Sequence, residues 1–162
     1  MENALIVVDM QQSLIEDETP TPDEIIEAVG ALVEAARGAG DAVVWVTDGR
    51  VMPEPGLHPA FIPAEGEIQV VKTTRDAFES TDLDARLKAL GVERVVICGM
   101  QSDACVDGTT RGAAKAGYEV VLVSDAHTTH VWERRGFRDV IAARIQELNM
   151  EKEALTGMIM GN

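Results

Sequence analysis

The chain has 162 residues, the size of one ordinary domain, and at 46% hydrophobic it can bury a full core. Fourteen Lys and Arg stand against 28 Asp and Glu, and the formal charge of -14 argues against nucleic acid and membrane surfaces as partners, because both favour basic patches. Two cysteines, Cys98 and Cys105, are too few for a disulfide framework and read as free thiols in a reducing compartment.

The first element is an apolar run at residues 4–8, closed by Asp9. A strand that is apolar throughout suggests a central parallel strand covered on both faces. The opening M-E-N-A-L-I-V-V-D lacks a basic n-region, so no signal peptide is expected, and no apolar run approaches a membrane span; a cytoplasmic protein is expected. Gln11 and Gln12 lead through Leu14 into an acidic loop that ends at Pro22. Thr21 or Asp23 then caps a helix with the stripe Ile25, Ile26, Val29, Leu32, Val33 and Ala36. The glycines at 38 and 40 follow a helix and precede a strand, so they are a cap and a turn and not a dinucleotide fingerprint.

Residues 42–47 form a second strand, and 48–63 is a long Pro- and Gly-bearing segment of the kind that supplies binding loops. A third strand at 68–71 ends in Lys72. Thr81 or Asp82 caps a helix through Leu83, Leu87 and Leu90, stopped by Gly91. A fourth strand at 95–98 is ended by Gly99, a short polar turn follows, and Cys105 opens a helix that runs to Ala116 with Gly117 as its stop. The fifth strand spans 119–123, a polar loop D-A-H-T-T-H carries His127 and His130, and a helix with Val131, Val140, Ile141, Ile145 and Leu148 precedes a sixth strand at 155–160. The alternation gives an α/β fold, a three-layer α/β/α domain over 1–162 with a mainly parallel, Rossmann-like six-stranded sheet.

In such sheets ligands bind beyond the C-terminal strand ends. Asp9, Lys72 and Cys105 all fall there. A cysteine at a helix N-terminus is placed to be a nucleophile, because the local dipole and orphan N–H groups favour the thiolate. Cys98, mid-strand, reads as inert filler.

At these residues the chain resembles the isochorismatase-like cysteine hydrolases. The resemblance runs from L-I-V-V-D-M-Q at 5–11 through V-V-K at 70–72 and A-F-x-x-T at 77–81, and is strongest at G-M-Q-S-D-A-C-V, 99–106. It implies a catalytic triad of Asp9, Lys72 and Cys105, with a non-proline cis peptide at Met100–Gln101 and an oxyanion hole made by the N–H groups of Gln101 and Cys105. Gln11, Asp48, Arg75, Phe78 and Trp45 are the candidates to line a substrate pocket, with packing in the core the competing reading for Phe78 and Trp45. Leu14 stands where many members carry an aromatic residue.

No cofactor is expected. Nicotinamidases of the family bind a metal through an Asp-x-His pair after the second strand. Here that place reads Asp48-Gly49-Arg50, and His58 is the single histidine of the following loop, too few ligands for a closed site. The implied activity is cleavage of an amide, ureido or carbamoyl C–N bond of a small molecule. The implied state is a homo-oligomer, with Trp132, Phe137 and Val140 as candidate interface residues. A thiol sensor or small-molecule-binding protein on the same fold is the alternative.

Overall fold

In a computed structural model, which describes residues 2–128, the apolar run at 4–8 lies within β1 (Asn3–Val8), the middle strand of the sheet. β2 (Ala42–Asp48), β3 (Ile68–Lys72), β4 (Arg94–Met100) and β5 (Glu119–Thr128) join it in the order β3-β2-β1-β4-β5, every pairing parallel. Alternate residues of β1 point to opposite faces. Ala4, Ile6 and Val8 pack with Leu83 and Leu87 of α3 (Leu83–Ala89) and with Val106 and Ala113 of α4 (Cys105–Lys115). Leu5 and Val7 pack on the other face with Ile25, Val29 and Val33 of α2 (Pro22–Ala39) and with Ile15 of α1 (Gln12–Glu18). This is the expected three-layer α/β/α class. Five strands belong to the described residues; the expected sixth strand, the helix before it, His130 and the candidate interface residues Trp132, Phe137 and Val140 lie outside them. Among the described residues no helix is long and apolar enough to cross a membrane.

Three local expectations are corrected. The segment after Gln11, read as a loop, forms α1: its Gln, Leu and Glu residues are good helix formers, and Ser13 and Ile15 are buried inward. Gly99 does not end the fourth strand. It lies within β4 at φ 114°, where a Cβ would collide with the backbone of Val8, its partner in the neighbouring strand. The fifth strand continues through the polar S-D-A-H-T run. Its register jumps from Ile97↔Leu122 to Gly99↔His127, so Ser124 and Asp125 bulge into solvent while Ala126 and His127 turn back inward. His127 is therefore a buried strand residue, 2.6 Å through Nδ1 from the hydroxyl of Ser102, and not a loop histidine.

Two more glycines set a close approach. On α4, a Cβ at Gly108 would stand 2.7 Å from the carbonyl oxygen of Arg75, and one at Gly112 would strike the carboxylate of Asp76. The chain after β3 thus rests directly on the helix that begins with Cys105, and the Thr109 hydroxyl, accepting from the Ala77 N–H at 3.1 Å, pins it there.

Replacing Gly99 with alanine is expected to cost more than about 3 kcal/mol or to prevent folding, because backbone cannot give way there. Gly30→Ala on α2, where nothing lies within 4 Å, is expected to stabilise by about 0.5–1 kcal/mol. Urea denaturation midpoints of the two variants test the pair.

Candidate active site

The strand ends meet around one buried ammonium. Lys72, the last residue of β3, is 1% exposed. Its Nζ lies 2.9 Å from Asp9 Oδ2, 3.1 Å from Asp48 Oδ2, 3.0 Å from the Thr74 carbonyl and 3.0 Å from Cys105 Sγ. Asp9 follows β1 directly, in the left-handed region at φ 52°, with its N–H bonded to the Val46 carbonyl at 2.8 Å. That conformation is uncommon for a non-glycine residue and clusters at functional sites. Asp48 ends β2, opposite Lys72 in the register. Cys105 is the first residue of α4, so its N–H is among the donors that a helix N-terminus leaves without an intrahelical acceptor.

Sequence-expected residues divide cleanly. Asp9, Lys72 and Cys105 come together. The Met100–Gln101 peptide is cis, and Gln101 is held in place through its carbonyl, which accepts from the N–H groups of Ala104 and Val106 at 3.0 and 3.1 Å. Asp9, Asp48, Arg75, Gln101 and Cys105 line a cleft of about 390 Å³. Gln11 does not belong to it. Its side chain is wholly buried, accepts from the Asp48 N–H at 2.8 Å and donates to the carbonyls of Asp48 at 3.0 Å and Pro55 at 2.6 Å, so it clamps the end of β2 to the following loop. Phe78 packs on the core with its ring 5.7 Å from that of Tyr118, away from the cleft. Trp45 is buried on the opposite face against Phe61 and donates to Glu67.

Asp48 lines the cleft, but its carboxylate is engaged. Oδ1 accepts from the Arg50 N–H and Nε, and Oδ2 accepts from an Arg50 terminal nitrogen at 2.7 Å and from Lys72. Arg50, Val51, Leu14, Glu18 and Ala104 complete the lining. Of these, Arg50 had a signal in the sequence, a cation two residues past the end of a strand; Glu18, whose carboxylate accepts from Gln101 Nε2 at 2.9 Å, had none.

The charges are tuned by this packing. Burial pushes the Asp9 carboxyl up to about 6, against the pull of Lys72. Burial and the Asp9 charge push the Cys105 thiol up to about 12, although Lys72 draws it the other way. Burial and the Asp9 charge thus act on the sulfur against the pull of the helix N-terminus that the sequence suggested. For Asp48, burial works in the opposite sense, yet the bonds from Arg50 and Lys72 hold its carboxyl well below the usual range. Burial opposes the charge on Lys72 too, and Asp9 and Cys105 more than restore it, so the ammonium persists.

Ligand atoms of Asp9, Asp48 and Cys105 lie within 4.8 Å of one another, close enough to hold a metal ion. The donor set does not fit one. The ammonium of Lys72 already stands within 3.1 Å of all three, and Arg50 takes up Asp48 from the other side. His58 faces Glu16 at 3.8 Å and the Phe61 ring, not this cluster.

The isochorismatase domain model matches residues 3–136, and the chain belongs to the isochorismatase family. It is 35% identical over 137 residues to a streptothricin hydrolase of Streptomyces noursei, a match covering 78% of this chain and 50% of that one. The chain thus spans about half the length of that relative. Among solved structures it is similar to a pyrazinamidase of Pyrococcus horikoshii in complex with zinc (27% identity, TM-score 0.77, covering 94% of this chain and 97% of that one). It is also similar to an N-carbamoylsarcosine amidase from Thermoplasma acidophilum (26% identity, TM-score 0.73, covering 90% and 94%).

Lys72→Met is expected to destabilise by about 3–5 kcal/mol, because it leaves the buried Asp9 carboxylate without its cation and close to that of Asp48, which keeps Arg50. Arg50→Ala, whose side chain is 56% exposed, is expected to lose much less. Urea unfolding at neutral pH compares the two.

Proposed function

We propose that this member of the isochorismatase family hydrolyses an amide, ureido or carbamoyl C–N bond of a small molecule, with Cys105 as nucleophile, Asp9 as general base and acid, and Lys72 as the fixed positive charge between them. The observation that carries the reading is the single ammonium shared, at 2.9 and 3.0 Å, by a carboxylate and a thiol on the wall of one cleft. Two of the similar structures are amidases by name, which supports C–N cleavage as the chemistry.

The steps follow from the proton positions. As Cys105 Sγ attacks the carbonyl carbon, its proton passes to Asp9, whose carboxyl near 6 makes it a base matched to neutral pH. Lys72 stabilises the sulfur as it loses the proton. The N–H groups of Gln101 and Cys105 receive the developing oxyanion, an interaction worth about 2.7–4 kcal/mol per donor in other hydrolases. Collapse breaks the C–N bond, and Asp9 returns the proton to the leaving nitrogen. Asp9 then deprotonates water for attack on the thioester, and the thiol regains its proton as the C–S bond breaks.

Ammonia release from a panel of small amides, ureido acids and carbamoyl compounds is the test, with Cys105→Ala as the blank. Turnover by Cys105→Ala at the parent rate overturns the scheme. Asp9→Asn is expected to lose about 10²–10⁴-fold in rate. In the parent enzyme, kcat/KM is expected to fall as pH drops through about 6, because a protonated Asp9 cannot accept the thiol proton. A profile flat from pH 5 to 8, on the order of the range that brackets this carboxyl, would contradict the role of Asp9.

A further inference from the structure

The turn that carries the proposed oxyanion donors is held from behind by a pair that the chemistry above does not use. Ser102 Oγ stands 2.6 Å from His127 Nδ1, and the two residues are 0% and 7% exposed. A hydroxyl hydrogen-bonded to an imidazole is also the arrangement of a nucleophile and its base. That reading fails here, because neither residue is part of the cleft wall and the Ser102 oxygen is sealed from it. What the pair can do is transmit position.

Its place in the chain makes that position matter. Ser102 directly follows Gln101 and bonds through its N–H to the Thr128 carbonyl at 2.9 Å. Before Gln101, Met100 is paired with Thr128 in the sheet. Gln101 is thus flanked on both sides by residues anchored on β5, and its own carbonyl is turned toward the N–H groups of Ala104 and Val106 at 3.0 and 3.1 Å. His127 reaches Ser102 because the bulge at Ser124 and Asp125 returns it to the interior. The Ser102–His127 bond is made by side chains alone, so substitution removes it without touching backbone. A donor aimed at developing charge acts through its geometry, and a shift of about 1 Å in a catalytic group can cost on the order of 10²-fold in rate.

We infer that Ser102 and His127 are positioning residues: their buried bond holds the turn at 101–104 so that the N–H groups of Gln101 and Cys105 converge on one point of the cleft, and it governs steps that pass through an oxyanion, not the reactivity of the sulfur. This rests on the oxyanion role proposed above for those two N–H groups.

Two reactions of the one thiol separate these effects without knowledge of the substrate. Acetylation by 4-nitrophenyl acetate passes through a tetrahedral oxyanion: the S–C bond forms, the bond to 4-nitrophenolate breaks, and the thiol proton goes to Asp9. Alkylation by iodoacetamide displaces iodide directly and forms no oxyanion. Both are read in the full chain, the first as nitrophenolate release and the second by mass spectrometry. Cys105→Ala is the blank, and Cys98, buried in β4, is the thiol that stays unlabelled while the fold persists. In Ser102→Ala and in His127→Leu, acetylation is expected to fall about 10- to 100-fold while alkylation stays within about twofold of the parent. The double variant is expected to lose no more than either single one. Ser102→Thr and His127→Asn, whose amide meets the hydroxyl from where Nδ1 does, are expected to recover most of the loss. No acetylation of Cys105 in the parent, acetylation unchanged in both single variants, an equal fall of both reactions, losses that add in the double variant, or loss of the fold in both single variants would overturn the inference. A selective fall in acetylation with no ammonia release from any compound of the amide panel would overturn the hydrolase reading instead and leave the positioning role standing.

Discussion

The buried ammonium of Lys72 is the constraint on which the site depends. An isolated ammonium removed from water would lose its charge or expel itself. This one stays because two carboxylates, a carbonyl and a sulfur surround it within 3.1 Å. The dependence is mutual. Asp48 holds Lys72 and is itself held by Arg50, and the clamp of Gln11 on the Asp48 backbone fixes where β2 stops. A loop residue, two strand ends and a helix start are thereby fixed against one another.

That meeting is possible because backbones approach unusually closely. Gly99 lets β4 run past Val8, so the turn at 101–104 leaves the sheet beside Asp9. Gly108 and Gly112 let the chain after Lys72 lie on α4, which brings Arg75 to the same cleft as the sulfur at the head of that helix. On the far side of the turn, Ser102 is tied to β5 twice, through its N–H to the Thr128 carbonyl at 2.9 Å and through its hydroxyl to His127. The turn carrying the proposed oxyanion donors is thus tied to the sheet on one side and continues into α4 on the other.

The electrostatic outcome differs from a thiolate poised at a helix end. Burial and the neighbouring Asp9 charge raise the thiol, against the pull of Lys72, and burial raises the Asp9 carboxyl beside it. The ammonium of Lys72 fills the space among Asp9, Asp48 and Cys105 that a metal ion would need, and Arg50 adds a second cation beside Asp48.

Local pattern determined the parts of this protein that local physics controls. Continuous apolar runs marked the strands, the 3.6-residue stripe marked α2, and alternation of the two marked the parallel three-layer class. Motif spacing also put Asp9, Lys72 and Cys105 at strand and helix ends on one side of the sheet. What tertiary structure alone decided is which polar side chains look into the cleft and which are spent elsewhere. Gln11 and Phe78 have plausible chemistry, yet one is consumed by backbone groups of a segment more than thirty residues away and the other by the core. The S-D-A-H-T run has loop composition, yet pairing with β4 keeps it in the sheet. The protonation states depend on burial and on charges distant in the chain, which no spacing encodes. Residue type and period are properties of neighbours in sequence; orientation, partnership and charge state are properties of neighbours in space.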